Sequence, residues 1–223
     1  MKKLLLLFLV ILLLSDCKKA ETDPVSTITI GTQVWMLKNL DVATYRNGDP
    51  IPKVTDPIAW AALGTGAWCW YDNDSATYAA TYGRLYNWHA VNDSRGLAPA
   101  GWHIPSDAEW NILVKSIDPA ADTSAGNSFQ SSIAGGAMKE TGTAHWLNPN
   151  AGATNSSGFT GLPGARRDGI GGFDPIAKSA YWWSSTQVNA SIAWYRYLTF
   201  FDSSFYKVFF TKSDGYSVRC IKN

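Results

Sequence analysis

Apolar and polar residues alternate over residues 27–35, "TITIGTQVW", on either side of Gly31. A period of two with a glycine at its centre predicts two short strands about a turn. The period changes after Ser106. In "SDAEWNILVKSI", Trp110, Leu113, Val114 and Ile117 fall at i, i+3, i+4 and i+7, which is one face of a helix. Ser106 is placed as N-cap, and Glu109 stands three residues on, the spacing of a capping box. Asp107 and Glu109 suit the positive end of the helix dipole, and Asp118-Pro119 ends the helix. "YGRLYNWHAV" (82–91) carries Leu85, Trp88 and Val91 three apart and reads as a second, short helix. "AWCWY" (67–71) reads as a buried extended segment, and "RNGDPIP" (46–52) as a turn and loop.

Residues 120–178 lose both periods and are rich in Gly, Ser, Asn and Ala. A loop region this long inside one domain is usually functional. The pattern then returns as short β-rich runs, "YWWSST", "SIAWYRYLTF", "SFYKVFFT" and "GYSVRCI", parted by turn residues. They predict an antiparallel meander. In its central strand Ala193, Tyr195, Tyr197 and Thr199 share one face, and Trp194, Arg196 and Leu198 the other. The whole reads as α+β, one or two helices packed on a twisted antiparallel sheet, with a long loop region and a C-terminal meander.

The first residues change the picture of where the protein works. Lys2 and Lys3 precede an apolar run of eleven, residues 4–14, too short for the roughly 20 residues of a spanning helix. This is the form of a secretion signal. "LSDC" then resembles a bacterial lipobox, with Asp16 where a small residue is usual, and makes Cys17 the candidate for lipidation. The alternative is a plain signal peptide cut nearby. The expected organisation is a leader over 1–16, a polar tether over 17–26 ("KKAETDP" within it) and one domain over 27–223. Lipid on Cys17 would tie the protein to a membrane, in the cell envelope and at the outer membrane.

Without the leader, nineteen basic residues less Lys2 and Lys3, and eighteen acidic residues less Asp16, leave seventeen of each. A neutral chain with no basic face gives no ground for a nucleic-acid partner. Eleven Trp and ten Tyr supply large buried area and contact surface. Cys69 and Cys220 are the remaining cysteines; in an exported chain they are a disulfide candidate, with two buried free thiols as the alternative.

Candidate chemistry is sparse. His89, His103 and His145 lie far apart, with no paired ligand spacing, so no metal site is expected. No G-x-S-x-G occurs, and "GLPG" and "GIGG" match neither a P-loop nor a dinucleotide fingerprint. Arg166-Arg167 could meet an anion but reads better as a solvated pair. Asp72, Asn73 and Asp74 offer oxygen ligands in a row, yet lack the Gly and Glu of an EF-hand loop. Asx-rich turns usually bond their own backbone, so no cofactor is expected, and calcium at these residues is the alternative. His103 reads as bonding a neighbouring backbone group.

"IGTQVWMLKNL", "WCWYDND", "YGRLYNWHAV", "GLAPAGWHIPSDAEW", "ATNSSGFTGLPGARR", "YWWSST" and "GYSVRC" occur in that order. Together they resemble the Fibrobacter succinogenes major paralogous domain, over roughly residues 28–220. Members are typically exported lipoproteins or surface proteins of Bacteroidota and Fibrobacterota, without a defined biochemical function. The resemblance implies a C-type-lectin-like fold. Many members carry a Cys where this chain has Ala98, which leaves Cys69 as the candidate partner of Cys220. The sugar-binding tripeptides of true C-type lectins and the catalytic cysteines of formylglycine-generating enzymes are absent.

The expected function is a surface-anchored, non-catalytic binding or adhesion module with a glycan or protein ligand. Tyr195, Arg196, Tyr197 and Tyr206 are its candidate contacts, because aromatics and Arg concentrate at hot spots; strand alternation could place half of them in the core. A structural accessory lipoprotein is the alternative. An enzyme on envelope polymers, using Asp168, Asp174 or the histidines, is a third.

Overall fold

The computed structural model describes residues 25–124, 126 and 128–223. The expected leader, Cys17 and most of the tether lie outside the described residues. β1 (Thr27–Ile30) and β2 (Gln33–Met36) form the expected hairpin, Ile28 opposite Trp35. Gly31 turns it at φ +58°, and a Cβ there would stand 2.2 Å from Ser116 Oγ, so the turn needs glycine twice over. There follow α1 (Pro57–Ala61), β3 (Trp68–Cys69), α2 (Ser75–Tyr82), β4 (Leu85–Asn87), α3 (Trp88–Val91), β5 (Trp102–His103) and α4 (Asp107–Ile117). Beyond lie β6 (Ser128–Ser131), α5 (Ala134–Met138), β7 (Ser179–Gln187), β8 (Ile192–Thr199), β9 (Phe205–Thr211), β10 (Gly215–Tyr216) and β11 (Ile221–Lys222).

The architecture is α+β on antiparallel sheets, with more and shorter helices than the one or two expected. The physical reason is local capping, which periodicity does not report. Asp56, Asp74 and Asn87 each accept the amide three residues on, starting α1, α2 and α3. Asn87 also divides the expected 82–91 helix. Its side-chain oxygen accepts the amides of Ala67 (3.0 Å) and Ala90 (3.1 Å), so the chain leaves β4 and turns at once into α3. α4 is as expected: Ser106 Oγ accepts Glu109 N, and Glu109 accepts Ser106 N at 2.8 Å.

Three sheets run in the orders β1-β2-β11-β5, β10-β4-β3 and β6-β9-β8-β7. Only β7, β8 and β9 form the expected meander. β10 leaves it for β4, with Tyr216 opposite Tyr86, and β11 lies between β2 and β5. The last strand therefore closes onto the first hairpin.

Trp35, Trp60, Trp110, Trp146, Trp182 and Trp183 are fully buried, so much of the tryptophan content is core. A ring burying about 200 Å² at about 25 cal/mol/Å² contributes roughly 5 kcal/mol as an upper bound. The long loop region is tied down by Lys139, whose Nζ donates to the carbonyls of Ala151 (2.8 Å), Thr199 (2.9 Å) and Asp202 (2.7 Å). Burial pulls its pKa down to about 8. Among the described residues no helix is long and apolar enough to cross a membrane.

Candidate functional site

Side chains of one strand alternate between the two faces of its sheet. In the β6-β9-β8-β7 sheet, Leu198, Trp182 and Phe205 face one core cluster, while Tyr195, Tyr197, Tyr181 and Val208 face another. Register on the second face sets Phe129, Tyr206, Tyr197 and Tyr181 opposite one another across all four strands. With neighbouring strands about 4.8 Å apart, the row is roughly 14 Å long. Phe129 is 46% exposed, and the three tyrosines are half-buried.

Each ring leans on the next. Phe129 meets Tyr206 edge-on at 6.2 Å; Tyr206 stacks on Tyr197 at 4.4 Å and 10°; Tyr197 stacks on Tyr181 at 5.9 Å and 26°. Tyr181 stacks in turn on the buried Tyr216 at 5.4 Å, which anchors the row in the core. Tyr206 and Tyr197 cover one face of each other, and Phe129 is the most exposed ring of the row.

Acidic groups hold the hydroxyls of Tyr206 and Tyr181. Tyr206 donates to Asp202 at 2.6 Å and Tyr181 to Asp174 at 3.2 Å. Arg166 pairs with Asp174 and with Asp214, both at 2.8 Å, and Tyr216 also donates to Asp214 at 2.8 Å. Burial, then the neighbouring Tyr206, Tyr181 and Asp202, pushes Tyr197 up to about 12. Burial pushes Asp214 up to about 6 against the pull of Tyr216 and Arg166. Burial pulls Arg166 down, but Tyr216 and Asp174 more than offset it and hold it above its ordinary value. Beside this cluster Arg166, Asp168, Phe210 and Asp214 line a cavity of about 470 Å³.

Of the four expected contacts, Tyr197 and Tyr206 lie in the row. Tyr195 is core, 6% exposed, and Arg196 is fully buried on the opposite face. Arg196 donates to Asp107 (2.7 Å) and Asn111 (3.2 Å) of α4 and meets no solvent, so it is no ligand contact. The alternation of β8 is the cause: one strand cannot offer Arg196 and Tyr197 to the same side.

Other expectations are corrected too. Cys69 and Cys220 are free thiols in separate core clusters, Cys69 with Trp60 and Leu85, Cys220 with Met36 and Val218. The Arg pair is not solvated, because Arg167 is buried and donates to Gly171, Val54 and Thr55 carbonyls. His103 bonds the Glu109 carboxylate and the Asn223 side chain, each at 2.8 Å, in place of a backbone group. Asp74 is a helix cap, and among the described residues no group of three or more His, Cys, Asp or Glu could hold a metal. Asp168 and Asp214 share a cavity, but Asp168 accepts the amides of Ile170 and Gly172, and Asp214 is held by Arg166 and Tyr216. The sequence reading missed Phe129, Tyr181 and Asp214. The alternation of "SFQS" and of "YWWSST" was the available signal, but only register brings the strands together.

The family model described as Fibrobacter succinogenes major domain matches residues 28–222. No curated protein and no solved structure matches the chain.

Proposed function

We propose, from the premise that the chain belongs to the Fibrobacter succinogenes major domain family, that it is a surface-displayed, non-catalytic module that binds a protein partner through the aromatic row. The carrying observation is the in-register row Phe129–Tyr206–Tyr197–Tyr181. It is rigid, because one end is stacked into the core through Tyr216. Rigid aromatics lose little entropy on binding and concentrate at protein hot spots. The covered faces of Tyr206 and Tyr197 favour protein over glycan, since a sugar ring stacks on an open aromatic face. The Tyr206 and Tyr181 hydroxyls are already bonded to Asp202 and Asp174, which suits a contact surface better than a reacting centre. In this reading Cys17 carries the lipid, the outer membrane displays the domain, and the α+β architecture is a C-type-lectin-like one.

An array of glycans, cell-wall polymers and envelope proteins tests the proposal with the domain from residue 25 onward. Wild type is expected to bind a protein, and Phe129→Ser with Tyr206→Ser to weaken it roughly 30-fold, the loss from one hot spot of about 2 kcal/mol. Binding confined to glycans, or unchanged in the double variant, refutes it.

A further inference from the structure

Away from the aromatic row, Arg219 lies between β10 and β11 and is 1% exposed. A buried guanidinium ordinarily has a carboxylate beside it. Arg219 forms no ion pair among the described residues. Its Nε and Nη2 donate to Asn39 Oδ1 (3.2 and 2.9 Å), and Nη1 donates to the Phe159 carbonyl. The cation also rests 4.3 Å from the Phe159 ring. Five N–H groups less three bonds leaves two without an acceptor. Burial pulls the group down to about 9, so it remains charged at neutral pH.

Arg219 also lines a cavity of about 350 Å³, a volume within the range of small-molecule sites. Lys38 and His145 share the lining, and none of the lining residues is acidic. Glu140, the carboxylate bonded to the lining residue His145, is engaged by its Nδ1 at 2.8 Å. Thr81 and Thr160 bring hydroxyls to the same cavity, and Leu37 and Leu162 an apolar wall. A positive floor, a second cation at the rim and an apolar side make a site with one missing component, an anion.

We propose that this cavity binds the carboxylate of a small organic acid, with Arg219 as the fixed cation at its floor and Lys38 at its rim. The guanidinium fork matches a carboxylate, and the leucines receive the carbon skeleton. A carboxylate in the cavity would supply the counter-charge that Arg219 lacks.

The test uses the domain from residue 25 onward with acetate, D-glucuronate and inorganic phosphate, at ionic strength matched with chloride, followed by thermal melts and calorimetric titration. A carboxylate is expected to bind saturably and, at a hundredfold above its Kd, to raise Tm by roughly 5–10 °C. Arg219→Met would disturb the core, so two exposed positions carry the test. Lys38→Glu reverses the rim charge and is expected to weaken binding about tenfold. Ala80→Trp, on the exposed side of α2, fills the mouth and is expected to abolish it. Both leave the Tm of the free protein within about 2 °C of wild type. Absence of saturable carboxylate binding, binding of phosphate alone, or binding that survives both substitutions overturns the proposal.

Discussion

Asp107→Ala separates a structural Arg196 from a ligand-binding one. Asp107 begins α4 and sits against two cations from the sheet, Arg196 at 2.7 Å and Lys207 at 2.8 Å. Arg196 is fully buried and Lys207 nearly so. The partners feel the pair differently. For Asp107, burial raises the pKa but Arg196 and Lys207 outweigh it, so the carboxyl lies below its ordinary 3.8. For Arg196, burial outweighs the Asp107 charge, and the guanidinium lies below its ordinary value. The pair as a whole therefore adds little, while removal of one partner strands a buried charge, at a cost of roughly 3–5 kcal/mol. For a chain of this size that is a fall in Tm of roughly 6–20 °C, with an unchanged urea m-value. Replacing Arg196 as well, Asp107→Ala with Arg196→Met, removes one stranded cation and leaves Lys207 without its carboxylate, so it is expected to recover part of the loss. The sign with pH follows from the lowered carboxyl: its contribution is present above pH 3.8 and is lost as pH falls through the folded pKa. The gap between wild type and variant should close in that acid window. A single-variant loss under about 1 kcal/mol would refute the reasoning, since Arg196 would then reach solvent and return as a candidate contact.

Alkaline stability should fall in step with the tyrosines. Tyr82 and Tyr197 are raised to about 12 by burial first, so their contribution is whole below the ordinary 10 and is lost as pH rises from 10 through 12. Arg219 acts oppositely over part of that window, its pKa of about 9 lying below the ordinary 12.5, but it is one group against several. A phenolate absorbance titration run beside circular dichroism checks this; smooth ionisation near pH 10 with the fold intact contradicts it. Cys69 and Cys220 are raised to about 12 by burial, so in the domain from residue 25 onward, which lacks Cys17, the native protein should resist iodoacetamide and the unfolded protein should take two labels without reductant. Unfolded, unreduced protein that takes no label would restore the disulfide. Ser106→Ala removes the oxygen that accepts Glu109 N, with an expected loss of about 1 kcal/mol in a urea melt.

Local features were legible in the sequence. The first hairpin shows in alternation about Gly31, and α4 shows in its period and its Ser106–Glu109 box, because both depend on residues a few positions apart. Helices α1 and α2 were hidden for the converse reason, since each is short and begins at a single Asp, and α3 was legible only in its last residues, because Asn87 starts it inside the expected 82–91 helix. The face of β8 was not legible, since Trp194 and Arg196 on one side look as fit for a surface as Tyr195 and Tyr197 on the other. What decides is Asp107, 89 residues from Arg196 in the chain. The row was hidden likewise, because Phe129 meets Tyr206 only once β6 is paired with β9. The departure of β10 and β11 from the meander rests on partners in β4 and β2, more than a hundred residues earlier. The order within residues 139–178 comes from side chains such as Lys139 bonding carbonyls, which leaves no period to read.

The central claim, that the edge of the aromatic row meets a protein, is tested most directly by photocrosslinking on intact cells. A benzophenone side chain replaces Phe129 in the row in one sample and the exposed Ile58 of α1 in another. The account predicts a discrete protein adduct from position 129, lost on Tyr206→Ser, and none from position 58. No adduct from 129, or equal adducts from both positions, would contradict it.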